Sequence, residues 1–169
     1  MRVEKFVTGI ISTNCYLAVN EDTKQAVVVD PAAAPARLMD HIREEGLKIE
    51  AILLTHGHFD HIMGIDGFLK EYSVPVYVHE DDLKMMEDPQ WNQSAIYTAG
   101  YTFAGAAPLR DGQTLSLAGY DFSGASYAGT YAGRMLLLCK IGGCFCSAET
   151  HCSSDQWAGP ILKEAVRRI

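Results

Sequence analysis

Apolar positions come in short runs at the start of the chain. Residues 3–7, 15–19 and 26–29 carry the β-branched and apolar content of strands, and the polar segments 8–14 and 20–24 between them read as turns. The period then changes. From Pro35 to Glu45, Leu38, Met39 and Ile42 fall on one helical face, and Gly46 supplies a stop. Residues 49–54 form an apolar run broken only by Glu50, the pattern of a strand buried on both faces. A histidine-rich polar segment follows at 55–64, then a helical stretch to Tyr72, a strand at 74–78 and a short helix at 80–87. Residues 91–107 show no period and read as a long loop, which often serves as a functional lid. Residues 109–122 look like short strands, with Asp111-Gly112 and Ala118-Gly119 as turns. Strand–helix–strand order predicts one α/β domain.

The bulk numbers narrow the function classes. A chain of 169 residues, 48% hydrophobic, is long enough for one domain with a real core. Its net charge of −7 is uneven: residues 1–122 hold 9 Lys/Arg against 18 Asp/Glu, a balance of −9, and the remainder hold 5 against 3. An acidic body offers no basic stripe to neutralise phosphates, so nucleic acid is not an expected partner. No apolar run at the N-terminus is long enough for a signal peptide or a membrane span, so a cytoplasmic location and no membrane partner are expected. Cys15 stands alone while Cys139, Cys144, Cys146 and Cys152 crowd the tail, and a disulfide framework is not expected.

The chemistry concentrates in Thr55–Gly64, THGHFDHIMG. Its donors His56, His58, Asp60 and His61 follow directly on the buried strand, where open α/β sheets place their ligands. His56 and His58 can project together from an extended turn toward one cation. Asp60 and His61, at the turn into a helix, can reach a second cation nearby. Imidazole nitrogen and carboxylate oxygen suit zinc, iron(II) or manganese. Gly57 and Gly64 relieve crowding where the backbone turns tightly. The isolated His41 and His79 read as ordinary structural residues.

THGHFDHIMG resembles the H-x-H-x-D-H signature of the metallo-β-lactamase superfamily. The segments TNCYL (residues 13–17), VVVDP (27–31), DPQWNQS (88–94) and LRDGQTLSL (109–117) are most similar to its glyoxalase II-like hydrolases. The resemblance runs nearly continuously over residues 1–122. It implies an αββα sandwich with the metals at one edge, and a metal-bridging hydroxide that attacks the carbonyl of a small-molecule thioester or ester. It also implies two metal ions, zinc first and iron or manganese as alternatives. On this likeness His56 and His58 hold the first metal, Asp60 and His61 the second, and Asp60 is the catalytic candidate. Cys15 is then a core residue of its strand. A lactonase or an iron-dependent sulfur dioxygenase on the same site, or an inactive truncated half-domain, are the alternatives.

The likeness breaks in the tail. The family pattern needs a third His in a TPGHT-like turn, a bridging Asp in an SGDTLF-like strand end and a last His. This chain has Thr130 where the third His belongs and Glu149 where the bridging Asp belongs. The codons allowed by residues 123–133, read from the second base, permit QVLHTPGHTPG; those of residues 146–165, read from the third base, permit FSGDTLF and then GRTDL. The expectation is two successive frame shifts, the first near Phe122, with residues 1–122 the N-terminal part of the fold and 123–169 an out-of-frame or diverged tail. An incomplete site and an uncovered inner sheet face would follow. Should the tail be a genuine ending, residues 135–139 read as a strand and 160–169 as a helix. Glu149 would then be a possible bridging ligand, and Cys144, Cys146, His151 and Cys152 a possible small zinc site.

Overall fold

The structure is a computed structural model, and it describes residues 1–126 and 135–139. Thr130, Glu149, the tail cysteines past Cys139 and the expected helix at 160–169 lie outside the described residues.

A six-stranded sheet carries the fold, its strands in the order β1 (Arg2–Thr8), β2 (Thr13–Val19), β3 (Gln25–Val29), β4 (Lys48–Leu53), β5 (Val76–His79) and β6 (Ala107–Leu109). The first three strands pair antiparallel through tight turns, and β3 to β6 run parallel. Parallel neighbours need crossovers. Helix α1 (Ala36–Glu44) links β3 to β4; α2 (Phe59–Ile62) and α3 (Ile65–Leu69) link β4 to β5; α4 (Leu83–Met86) and α5 (Ser94–Tyr97) lie between β5 and β6. The apolar face of α1, Leu38, Met39 and Ile42, is buried against one side of the sheet with Leu17, Val28, Ile52, Leu54, Ile62 and Phe68. The run predicted to be covered on both faces is covered on both: Ala51, Ile52, Leu53 and Leu54 are each 0% exposed.

A second, three-stranded antiparallel sheet of β7 (Thr114–Leu117), β8 (Tyr120–Ser126) and β9 (Met135–Cys139) packs on the other side. Leu109, Ala118, Phe122 and Cys139 meet Tyr16, Ala18, Val27, Val29 and Leu53 there. The inner face of the large sheet was expected to lack a partner. Instead these residues are buried, because β7 to β9 lie over them. The strand expected at 135–139 under the genuine-ending reading is present as β9. The turn at Ala118-Gly119 takes left-handed backbone at both positions (φ 51° and 75°), the geometry that joins two strands with their natural twist. Asn20 Nδ2 donates to Ala118 O at 2.8 Å, and Glu50 accepts from Ala118 N at 2.5 Å, so this turn is pinned to the large sheet. Helices and a mixed sheet on one side and a second sheet on the other give the α/β fold that the pattern predicted, layered as the sandwich that the family resemblance implied.

The segment expected to be a long loop is largely that, and it is ordered by its own hydrogen bonds. Within residues 91–107 lies α5, and Asn92 and Ser94 are both 0% exposed. Polar side chains folded inward onto backbone leave no apolar period to read, which is why the sequence pattern missed it.

Candidate metal centre

Three parallel strands end on the same edge, and each contributes to the site. Past β3 stands Asp30, past β4 the segment from Thr55 to His61, and past β5 Asp82. His58 is the extended residue before α2 (φ −70°, ψ 151°), which places His56 and His58 on the turn and Asp60 and His61 in the first helical residues. The spacing argument anticipated this division.

Side-chain donors of His56, Asp60 and His61 all lie within 4.8 Å of one another. The His56 and His61 rings approach to 3.9 Å between centroids, and the His58 ring stands edge-on to His56 at 4.8 Å. The structure therefore brings all four candidates to one place, with His56 grouped with Asp60 and His61 and His58 beside them. Two or three imidazoles around a carboxylate, half-buried at the sheet edge, fit a divalent cation of the zinc, iron or manganese kind.

The surrounding groups hold the donors in register. Asp30 is 1% exposed, and its Oδ2 lies 3.1 Å from His61 Nδ1. Its two oxygens also accept from Thr55 N (2.8 Å) and Thr55 Oγ1 (2.7 Å). The Thr55 hydroxyl sits 3.1 Å from His56 Nδ1, so Asp30 and Thr55 connect two of the histidines. Thr13 Oγ1, from the start of β2, donates to Asp60 Oδ2 at 2.8 Å. Asp82 Oδ2 accepts from Gly57 N at 2.9 Å. A carboxylate behind a ligating imidazole fixes ring orientation and tautomer.

Asp30 occupies the left-handed region (φ 51°), a costly conformation for a residue with a side chain. The turn around it has no slack. Gly64 N donates to Pro31 O at 2.7 Å, and a Cβ on Gly64 would stand 2.7 Å from Ala33 C and 2.8 Å from Ala33 Cα. Gly57 is similarly close to Met86 and Asp82. The glycines are needed for close backbone approach, as the sequence suggested.

Electrostatics follow from this packing. Burial disfavours the charged form of Asp60, but the neighbouring His61, the Thr13 hydroxyl and His56 outweigh it and hold the carboxyl at about 2. Burial likewise disfavours charged His61, yet Asp30 and then Asp60 raise its value to about 10 in the metal-free protein. Without a cation, His61 at neutral pH is an imidazolium between the carboxylates of Asp30 and Asp60.

Sequence reasoning missed Asp30, Thr13, Thr55, Asp82 and Gln93. Their contacts with the cluster close across chain separations such as 47 residues (Thr13 to Asp60) and 35 (His58 to Gln93), which no local pattern encodes. The signals available for Asp30 and Thr13 were their places within VVVDP and TNCYL. Cys15 is the core residue it was expected to be: it is 1% exposed, and burial followed by the Asp30 charge pushes its thiol well up, which makes it inert. His41 Nε2 lies 2.7 Å from Glu4 Oε2, and His79 Nδ1 accepts from Asp81 N at 3.3 Å, so both face partners away from the cluster.

Residues 8–131 match the family model described as metallo-beta-lactamase superfamily. The chain belongs to that superfamily. Among curated relatives of this superfamily member, the probable metallo-hydrolase YqgX of Bacillus subtilis (strain 168) is 33% identical over 96 residues, which is 57% of this chain and 44% of that protein. The probable polyketide biosynthesis zinc-dependent hydrolase BaeB of Bacillus velezensis (strain DSM 23117 / BGSC 10A6 / LMG 26770 / FZB42) is 27% identical over 127 residues, 75% of this chain and 51% of that protein. The crystal structure of the B3 metallo-beta-lactamase BLEG-1 superposes with a TM-score of 0.74 at 33% identity, over 82% of this chain and 67% of that one. That of TTHA1623 in a di-iron-bound form gives 0.66 at 27%, over 79% and 65%. The chain spans about half the length of the curated relatives it matches. The relatives it matches include a probable metallo-hydrolase and a probable zinc-dependent hydrolase, and the family is metal-dependent. Among the described residues no helix is long and apolar enough to cross a membrane.

Proposed function

We propose that the parent protein hydrolyses a small-molecule thioester or ester, in the manner of the glyoxalase II-like members of the superfamily. The observation that carries this reading is the convergence of His56, Asp60 and His61 within 4.8 Å at the carboxyl edge of the parallel strands, with Asp60 ionised. We assign His56 and His58 to one cation and Asp60 and His61 to a second, both zinc by preference. The zinc-dependent description of BaeB supports zinc, and the di-iron form of TTHA1623 keeps iron in view. Bound cations would lower the pKa of water and polarise a substrate carbonyl.

The protein's own residues prepare the place for this chemistry. Thr13 orients the Asp60 carboxylate, Asp30 sets the His61 ring, and the Thr55 hydroxyl bridges Asp30 to His56. Asp60, held at about 2, needs no proton removed before it meets a cation. A panel of thioesters, esters and lactones, run with zinc, iron(II) and manganese added in turn, tests the assignment. Thioester or ester turnover that disappears in His56→Ala is the expected result. Turnover of lactones alone, or oxygen consumption with a persulfide and iron, points to another chemistry on the same fold.

We further propose that residues 123–169 are the out-of-frame reading of the same gene, so that Thr130 and Glu149 stand where a third His and a bridging Asp belong. The ordered recovery of HTPGHTPG and SGDTLF in the alternative frames supports this. This chain would then be a weak or inactive form of a complete cytoplasmic hydrolase. Sequencing the source DNA across codons 120–150 decides it: single-base changes in short runs are expected, and an unaltered reading makes the tail a genuine ending.

A further inference from the structure

The turn that carries His56 and His58 is tied down at alternate residues. Thr55 N donates to Asp30 Oδ1 at 2.8 Å, Gly57 N to Asp82 Oδ2 at 2.9 Å, and Phe59 N to Asn92 O at 3.0 Å. In extended chain the side chains of residues two apart share a face. Ties at 55, 57 and 59 therefore leave His56 and His58 side by side, and their rings meet at 4.8 Å.

The middle tie is the one that stands between the two histidines. Asp82 ends a short 3-10 turn, Glu80–Asp82, that follows β5, and it is 1% exposed. A carboxyl group at that depth needs hydrogen bonds in place of water, and Gly57 N supplies one. The contact is close because residue 57 has no side chain. A Cβ there would stand 3.2 Å from Asp82 O, 3.4 Å from Asp82 Cβ and 3.0 Å from Met86 Cγ. Asp30, also 1% exposed, holds the residue on the other side of His56. In the sheet β4 lies between β3 and β5, so each neighbouring strand is followed by one buried carboxyl group that grips the turn beyond β4.

We propose that Asp82 is a positioning residue of the metal centre: by holding Gly57 N it fixes the spacing of His56 and His58 before a cation arrives. The inference rests on the metal-centre reading above. Asp82 acts through the backbone of the turn, and with Asp30 it clamps that turn from both sides. Without Asp82 the cation itself would have to order the turn, and the free energy of that ordering is subtracted from binding. Groups outside the ligand set that hold it in place carry about 10–100-fold in metal affinity.

The test uses the full chain, stripped of metal. Zinc alone is titrated against a chromophoric chelator. Cobalt(II) alone is followed by its visible absorption, which reports the arrangement of its donors, and Gly57 amide exchange is followed by NMR. Asp82→Ala is expected to lower zinc affinity about 10–100-fold, to change the cobalt spectrum and to speed Gly57 exchange. Asp82→Asn keeps an oxygen that accepts from Gly57 N and is expected to restore all three. Asn20→Ala loosens the Ala118 turn, at the opposite end of β2 from Thr13, and is expected to lower the melting temperature only. An Asp82→Ala chain that melts early yet keeps the parental zinc affinity and cobalt spectrum overturns the proposal, since Asp82 is then structural alone. So do a Gly57 amide that exchanges as in the parent, zinc binding weakened equally in Asn20→Ala, or an Asp82→Asn chain no better than alanine. Should Asp82→Ala not fold, Asp82→Ser, too short to reach Gly57 N, decides: weakened zinc binding with a changed spectrum supports the proposal, and parental values overturn it. A parent chain that takes up neither zinc nor cobalt is a separate result, which overturns the metal-centre reading and this proposal with it.

Discussion

Asp30→Ala is expected to lower the stability of the metal-free protein by about 3–5 kcal/mol, the usual consequence of removing one partner from a buried charge pair. For a chain of this size that corresponds to roughly 10 °C in melting temperature. Two losses combine. His61 Nδ1, buried at the sheet edge, loses the carboxylate 3.1 Å away, and Thr55 loses the acceptor of both its N–H and its hydroxyl. Alanine also inherits a φ of 51° without a polar side chain that tolerates it. Asp30→Asn keeps an acceptor for Thr55 but not the charge facing His61, so it should fall between alanine and the parent. Zinc affinity should follow the same order, because the His61 ring is no longer oriented. Thermal unfolding by circular dichroism measures the first effect and chelator competition the second. An Asp30→Ala protein that melts with the parent would show that the Asp30–His61 contact carries no weight.

Raising the pH should weaken the metal-free fold and strengthen cation uptake through the same group. The folded value of His61, about 10, lies above the ordinary 6.5. Its contribution to stability is therefore complete below 6.5 and is lost as pH rises from there through 10. A cation requires the neutral ring, so binding displaces that proton. Over the same window apparent zinc affinity should rise by about tenfold per pH unit, the slope of one proton released. Asp60 works at the other end: its value, about 2, lies below the ordinary 3.8, so its contribution is present above 3.8 and is lost as pH falls through 2. Calorimetric titration with zinc in two buffers of different ionisation enthalpy counts the proton. Affinity that does not change between pH 6.5 and 8.5 would remove His61 from the ligand set.

The parts of the molecule that were legible are those whose physics is local. The apolar run before Thr55 announced a strand covered on both sides, the spacing of Leu38, Met39 and Ile42 announced α1, and four donors within six positions announced the His/Asp cluster. What stayed hidden depends on chain closure. Nothing near Asp30 in sequence indicates that it will face His61, and nothing near Gln93 indicates His58. The stretch around Asn92, read as a long loop, hid α5 because its order comes from side chains bonded to backbone rather than from a hydrophobic stripe. The coverage of the inner sheet face was misjudged for a related reason. A short apolar strand such as Met135–Cys139 pairs with β8 whatever text surrounds it, since pairing asks for apolar content and an open edge rather than for a motif.

The spatial order of the large sheet, β1 through β6, is also the order in which its strands are synthesised. Each new strand therefore finds its partner in the one that left the ribosome just before it, with no need to wait for distant chain or to wedge between strands already paired. Asp30, the donor turn and Gln93 have all emerged by the time β6 closes the sheet, ahead of β7 to β9. The edge that carries the His/Asp cluster is in this sense an early product of translation, and any change in the later text of the gene would arrive after that edge had taken shape.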